Sequence, residues 1–314
     1  MKTVICCGYI CCDLMTSVEQ YPEENQKQFI HSLEMSVGGP AANAACLLAQ
    51  WGVQTYLLGQ LGSDQFSEIA LTDLHRCGVH TDYLKRYSGP CNCAIAVSSE
   101  KNGSRTVLSQ NASREYPITK FPETFAADGL LLDGHQYEWS RQLLKHHRGI
   151  SVLDAGSFRR ETHSLLNQTT DPVTSAPFFQ ALTRRLSEDE TIDMQYQNKM
   201  VVTNGEHPVI VYTPGGRKQY PVYQVNAVDT LAAGDCFHGA YLFGRLHQLN
   251  TEQSITLASA AAAICVTRKG GNRSLPSYKD VLDFLSSQND RQSNDVMEKL
   301  PPFPQLEISG KKTA

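Results

Sequence analysis

Asp229-Thr230-Leu231-Ala232-Ala233-Gly234-Asp235-Cys236-Phe237-His238-Gly239-Ala240 opens a helix that the hydrophobic periodicity carries to about Leu246. Small residues at Ala232, Ala233 and Gly234 let a ligand approach the backbone. A helix start offers N–H groups without helical partners and a partial positive charge, and both suit a phosphoryl group. Asp235 then stands where a carboxylate reaches a bound hydroxyl. An acidic first turn is as common in helices that bind nothing, so the stretch decides only together with its surroundings.

The same grammar recurs upstream. Gly38-Gly39-Pro40-Ala41-Ala42-Asn43-Ala44-Ala45 is again glycine followed by a small-residue helix, read over Pro40 to Trp51. The Asn43 amide both donates and accepts hydrogen bonds, which suits a polyhydroxylated ligand, although a turn and a helix cap explain the stretch equally well. Asp13 follows the first apolar run, Val4 to Ile10, and is either a ligand contact or a turn cap. Residues 54–59, 129–133, 150–154, 200–203 and 209–212 read as further strands, and Asp64 to Cys77 as a second helix. Alternating strands and helices predict an α/β fold: a mostly parallel central sheet with helices on both faces, whose ligands bind beyond the carboxyl ends of the strands.

Two stretches break that rhythm. Thr16 to Val37 has no helix period, and Cys93 to Val107 reads as a hairpin turning at Asn102-Gly103. They predict a small β-lid built from about 14–37 and 88–112 on one domain covering 1–286. Residues 287–314 read as a surface or disordered tail, and Ser187 to Asn198 as a solvated connection.

The 28 Lys+Arg against 32 Asp+Glu leave a net charge of −4 and no long basic run, which excludes a phosphate-backbone reader of nucleic acid. No stretch approaches the roughly 18 apolar residues of a membrane span. The ten cysteines include Cys6, Cys7, Cys11 and Cys12, crowded into the run from Val4 to Cys12. Adjacent strand residues face opposite sides, so these predict small buried hydrophobes in a reducing cytoplasm, with redox sensing as the alternative.

Asp13, the Gly-Gly-x-x-x-Asn helix entry at Gly39 and Asn43, and the 229–240 stretch, in this order, resemble the ribokinase-like (PfkB) carbohydrate kinase family over about residues 1–286. The Lys27 region, Val37 to Ala42, Lys85 to Tyr87 and Phe237 to Ala240 are similar to its sulfofructose kinase and ketose kinase branch. The resemblance implies ATP-dependent phosphorylation of a sugar or nucleoside hydroxyl, with Mg2+ on the nucleotide and a monovalent cation as an option. It implies Asp235 as general base, with Ala232, Ala233 and Gly234 forming the anion hole. Asp13, Gly39, Asn43, Lys27 and His135 would bind the sugar. Asn204, Gly205, Thr230, Lys269, Gly271 and Asn272 would bind the nucleotide. A homodimer through the lid strands is a further implication.

The chain departs from the family pattern in three places. Ala232 replaces the more frequent Gly and keeps its backbone N–H, as ketodeoxygluconate kinases do. The usual N-x-x-E is absent, with Phe178 where the Glu would be. Pro208 stands where a second Gly is usual. The readings to separate are therefore a kinase of sugars, for which Lys27, Arg105 and His135 favour an anionic one, a nucleoside kinase, and a catalytically silent ligand-binding relative.

Overall fold

The computed structural model describes residues 1–101, 104–115, 126–188 and 199–302. Its main sheet takes strands β1 (Thr3–Gly8), β4 (Gln54–Leu61), β5 (Lys85–Arg86), β8 (Gly129–Leu132), β9 (Ile150–Ala155), β10 (Asp171–Ser175), β11 (Met200–Asn204), β12 (His207–Thr213) and β13 (Gly216–Tyr220). Their order is β13-β12-β11-β10-β9-β8-β1-β4-β5. All pairings from β11 through β1 to β5 are parallel, and only β12 and β13 join antiparallel.

The expected architecture is present. Along β1, Val4 and Cys6 pack into the core on one face, while Ile5 and Cys7 pack on the other. The first face is covered by α1 (Pro40–Gln50), α2 (Gln65–Arg76), α6 (Ala233–Leu246), α7 (Thr251–Val266), α8 (Tyr278–Gln288) and α9 (Arg291–Met297). The second is covered by α3 (Tyr137–His146), α4 (Arg160–Leu165) and α5 (Ala176–Glu188). All ten cysteines are free thiols. Cys11 and Cys12 belong not to the first strand but to the next one, because the chain leaves the main sheet after Gly8.

The smaller sheet comprises β2 (Cys11–Val18), β3 (Glu34–Gly38), β6 (Cys93–Ser99) and β7 (Arg105–Gln110) in the order β3-β2-β6-β7. It is mixed: β2 pairs parallel with β6, and the two outer pairs are antiparallel. The hairpin turn at Asn102-Gly103 and residues 189–198 of the connecting segment lie outside the described residues.

The reading of 287–314 as a loose tail is corrected up to residue 302. Asp290 caps α9 by accepting from the Ser293 N–H at 2.9 Å, and Ser293 and Val296 are fully buried against the preceding helices. Its hydrophobic spacing is too short to register as a helix period. Residues 303–314 lie outside the described residues.

Packing of α1 against α6 sets the site. A Cβ on Gly239 would sit 3.0 Å from Leu47 and 3.3 Å from the Ala44 carbonyl, so glycine permits the close approach of the two helices. Their N-termini therefore open side by side at the carboxyl edge of the sheet.

Candidate active site

The entry to α6 is held from below and from the lid. Asp229, buried, accepts from the Leu231 N–H (3.0 Å) and the Ser98 hydroxyl (3.1 Å) through Oδ1, and from the Gly270 N–H (3.3 Å) through Oδ2. Arg105 of β7 donates to the Thr230 carbonyl at 2.6 Å and to its hydroxyl at 2.8 Å. Ala232 precedes the helix in the left-handed region at φ 63°. The departure from glycine there is thus not neutral for the backbone, because an L side chain in this conformation is strained. Among the described residues, nothing beyond its own helix and chain neighbours lies within 4 Å of where a Gly234 Cβ would stand, so the first turn faces open space.

Asp235 is partly buried and accepts a 2.7 Å hydrogen bond from Asn43 Nδ2. Burial pushes its carboxyl above the usual range, and the Asn43 bond and the charges of His238 and Arg105 offset part of this. Asp13 is buried beside it, with the Cys11 thiol 3.1 Å from Oδ1, and burial pushes Asp13 up to about 6. Gly39, at φ 102°, lies against the Tyr9 carbonyl, where a Cβ would collide with backbone. Asp235, Asn43, Asp13 and the glycine pair thus come together, as the sequence implied.

Beside the α6 entry lies a cavity of about 450 Å3, lined by Asn204, Gly205, Thr230, Gly234, Phe237 and Ala263 among others. That size fits one small ligand. Its wall on α7 is made of Ser259, Ala262, Ala263 and Val266, small enough to leave room for a flat group.

Five expected contacts stand outside the lining of this cavity. Lys269 points to the lid, 3.4 Å from Glu100 and 3.5 Å from the Ser17 hydroxyl. Gly271 and Asn272 do not line the cavity; the Asn272 amide instead donates to Asn43 Oδ1 at 3.0 Å and fixes that side chain's orientation. Lys27 is exposed between β2 and β3, its ammonium over the Phe29 ring. His135 stacks on Tyr9 and lies 3.1 Å from Asp133. Phe178, in place of the usual Glu, is fully buried against Phe158 in the second core, so it is a packing residue.

Sequence reasoning passed over Asp133, Asp154 and Arg159. Asp133 is buried and accepts from the N–H groups of Tyr9 (2.8 Å), Ala41 (3.2 Å) and His135 (2.9 Å). Burial works to raise its pKa, but His135 and these donors outweigh it and hold the carboxyl below the usual range. Arg159 donates to the Asp133 carbonyl at 3.1 Å. The available signal was repetition: Leu-Leu-Leu-Asp133 and Val-Leu-Asp154 both end an apolar strand run in aspartate, as the first run is followed by Asp13.

The sequence profile described as "pfkB family carbohydrate kinase" matches residues 1–278. The ATP-dependent ribose-1-phosphate kinase of Halopiger xanaduensis is 26% identical over 305 residues, covering 92% of this chain and 100% of its own. Among solved structures, Arabidopsis thaliana ribokinase complexed with ribose and ATP superposes with a TM-score of 0.69 at 21% identity, covering 90% of this chain and 98% of that one. The nucleoside kinase of Methanocaldococcus jannaschii superposes with a TM-score of 0.77 at 20% identity, covering 91% and 99%.

Proposed function

The chain belongs to the pfkB family of carbohydrate kinases, and from that premise we propose that it transfers the γ-phosphoryl group of ATP to a hydroxyl of a small sugar or sugar derivative. The observation that carries this reading is the position of Asp235. It shares one helix turn with Gly234, which lines the 450 Å3 cavity, and bonds to Asn43 on the side of Asp13 and Gly39. A nucleotide in the cavity and a sugar over Asp13 and Asn43 would meet at this carboxylate.

Asp235 takes the proton of the attacking hydroxyl, a contribution of roughly 10²- to 10⁴-fold for a placed base. The N–H groups of the helix start at 232–235 receive the charge that gathers on the transferring oxygens, each such donor being worth about 3 kcal/mol. Asn204, Gly205 and Thr230 hold the nucleotide, and Arg105 brings a positive charge from the lid. Asp13 and Asn43 orient the sugar. Mg2+ would be carried on the nucleotide phosphates beside the α6 entry. When bound there, the ion neutralises phosphate charge.

The exposed apolar side chains Phe29, Leu33, Ile95, Val107 and Leu108 belong to the lid sheet and the segment leading into it, and they fit a second copy of the chain as partner. Sedimentation would show a dimer that Leu108→Glu dissociates. The ten free thiols suit a reducing compartment such as the cytoplasm.

The test is ADP release from Mg-ATP across a panel of sugars, sugar acids, sulfosugars and nucleosides. One acceptor is expected to drive turnover at least tenfold above the ATPase background, and Asp235→Asn to remove it. A nucleoside as sole acceptor would move the substrate class. Turnover by the Asn variant near the wild-type rate would refute the base.

A further inference from the structure

His238 sits three residues after Asp235 on α6, buried at 3% exposure, and its ring faces the sheet. Nδ1 lies 2.6 Å from the Gly234 carbonyl oxygen and Nε2 3.2 Å from the Val173 carbonyl oxygen on β10. Both partners can only accept. A neutral imidazole donates from one nitrogen and would press its other lone pair against a carbonyl lone pair. Donation from both nitrogens removes that conflict and leaves the ring positive. The counter-charge is at hand: Asp154 Oδ2 of β9 lies 3.2 Å from Nδ1, is buried, and has no other hydrogen-bond partner among the described residues.

The carbonyl that Nδ1 engages belongs to the peptide whose N–H is that of Asp235. Fixing the oxygen toward the sheet fixes that N–H toward the open side of the helix start. We propose that His238 is a positioning residue for phosphoryl transfer: as an imidazolium paired with Asp154, it locks the Gly234–Asp235 peptide and holds a positive charge beneath the Asp235 carboxylate. The proposal rests on the reading of Asp235 as the base.

The groups around this charge are few. From its own helix come the Gly234 carbonyl, Asp235 and the edge of the Phe237 ring; β10 contributes the Val173 carbonyl and β9 contributes Asp154. Asp133 and His135, beyond β8, act on Asp154 through space, and Arg105 acts on Asp235 from the lid. Removing the imidazolium leaves Asp235 among carboxylates with Arg105 and the Asn43 bond as its support.

Two measurements test this. Nitrogen-15 NMR of histidine-labelled wild-type protein at pH 7.5, which needs no turnover, is expected to show both His238 ring nitrogens protonated, and to show a neutral ring in Asp154→Asn. A neutral single tautomer in the wild type overturns the proposal. With the acceptor found above, His238→Asn keeps an amide donor for Gly234 but no charge. Its acid limb of kcat/KM is expected to rise by about one pH unit, with kcat about tenfold lower and KM for ATP unchanged. An acid limb that stays in place in a folded His238→Asn protein, or in His238→Gln if that one folds better, also overturns it. Failure of the base assignment is distinguishable, because Asp235→Asn would then retain turnover whatever state the NMR reports for His238.

Discussion

Gly38 exists for Asp13: a methyl at its Cα would collide with the Asp13 carboxylate. Gly38→Ala is therefore expected to raise KM for the sugar more than tenfold while leaving KM for ATP near its wild-type value. Asp13 itself sets its proposed sugar contact against stability. Burial lifts its carboxyl to about 6, so the proton it holds stabilises the fold below the unfolded value near 4, and that stabilisation is lost as pH rises through 6. Asp13→Asn removes the buried charge. Denaturant melts should find the variant more stable by about 2 kcal/mol at pH 7.5 and no more stable at pH 4, with sugar turnover largely gone. Equal stability differences at both pH values would sink this account. Ala232 poses a smaller conflict. Left-handed alanine costs about 1 kcal/mol, partly offset by the greater chain entropy of glycine, so Ala232→Gly is expected to raise Tm by one to two degrees. Its position was legible in the sequence, but the sign of its φ was not, because residue identity alone does not report the backbone conformation it is forced to adopt.

At the scale of elements, the hairpin of β6 and β7 was readable from alternation, yet its task was not. Ser98 and Arg105 face each other across the hairpin, and both reach the loop ahead of α6, one at Asp229 and the other at Thr230. The lid thus grips the loop that leads into α6, where the anion hole is proposed. Because Arg105 is exposed, Arg105→Ala is expected to leave Tm within about a degree while raising KM for ATP and lowering kcat, together by about tenfold in kcat/KM. A shift in Tm with no kinetic change would make Arg105 a merely structural clamp. Three of the elements that escaped the sequence share a physical trait. The β10 strand is five residues beginning Asp-Pro, β13 is a polar, exposed edge, and α9 is two turns long. Each draws its order from neighbours rather than from a period of its own. The contacts of Lys269 to Asn272 were hidden from the sequence for a related reason. The family resemblance implied the nucleotide as their neighbour, and the fold also brings that loop to Asn43 and the lid.

At the scale of the whole molecule, the two edges of the main sheet handle buried charge in opposite ways. The carboxyl edge gathers Asp13, Asp133, Asp154 and Asp235 around an open cleft, and burial lifts all but Asp133, so ionisation there works against the fold. At the other edge Asp171, fully buried at the start of β10, accepts from Lys199 (2.7 Å), Arg245 (3.1 Å) and the Tyr241 hydroxyl (2.8 Å). Burial works to raise its pKa too, but Lys199 and Arg245 prevail and hold it below the ordinary carboxylate value. One carboxylate there ties β10, the approach to β11 and the last turn of α6. A lowered pKa places its stabilisation above the unfolded value near 4 and removes it as pH falls through the folded value. Asp171→Asn is accordingly expected to cost about 3 kcal/mol at pH 7.5, since it strands two cations, and to melt together with the wild type below pH 3. Turnover per folded molecule should stay within twofold, because this cluster lies at the far end of the strands. A variant that loses turnover while keeping its Tm would show instead that the distant end of α6 is coupled to the proposed phosphoryl site, and the separation of the two edges would fail.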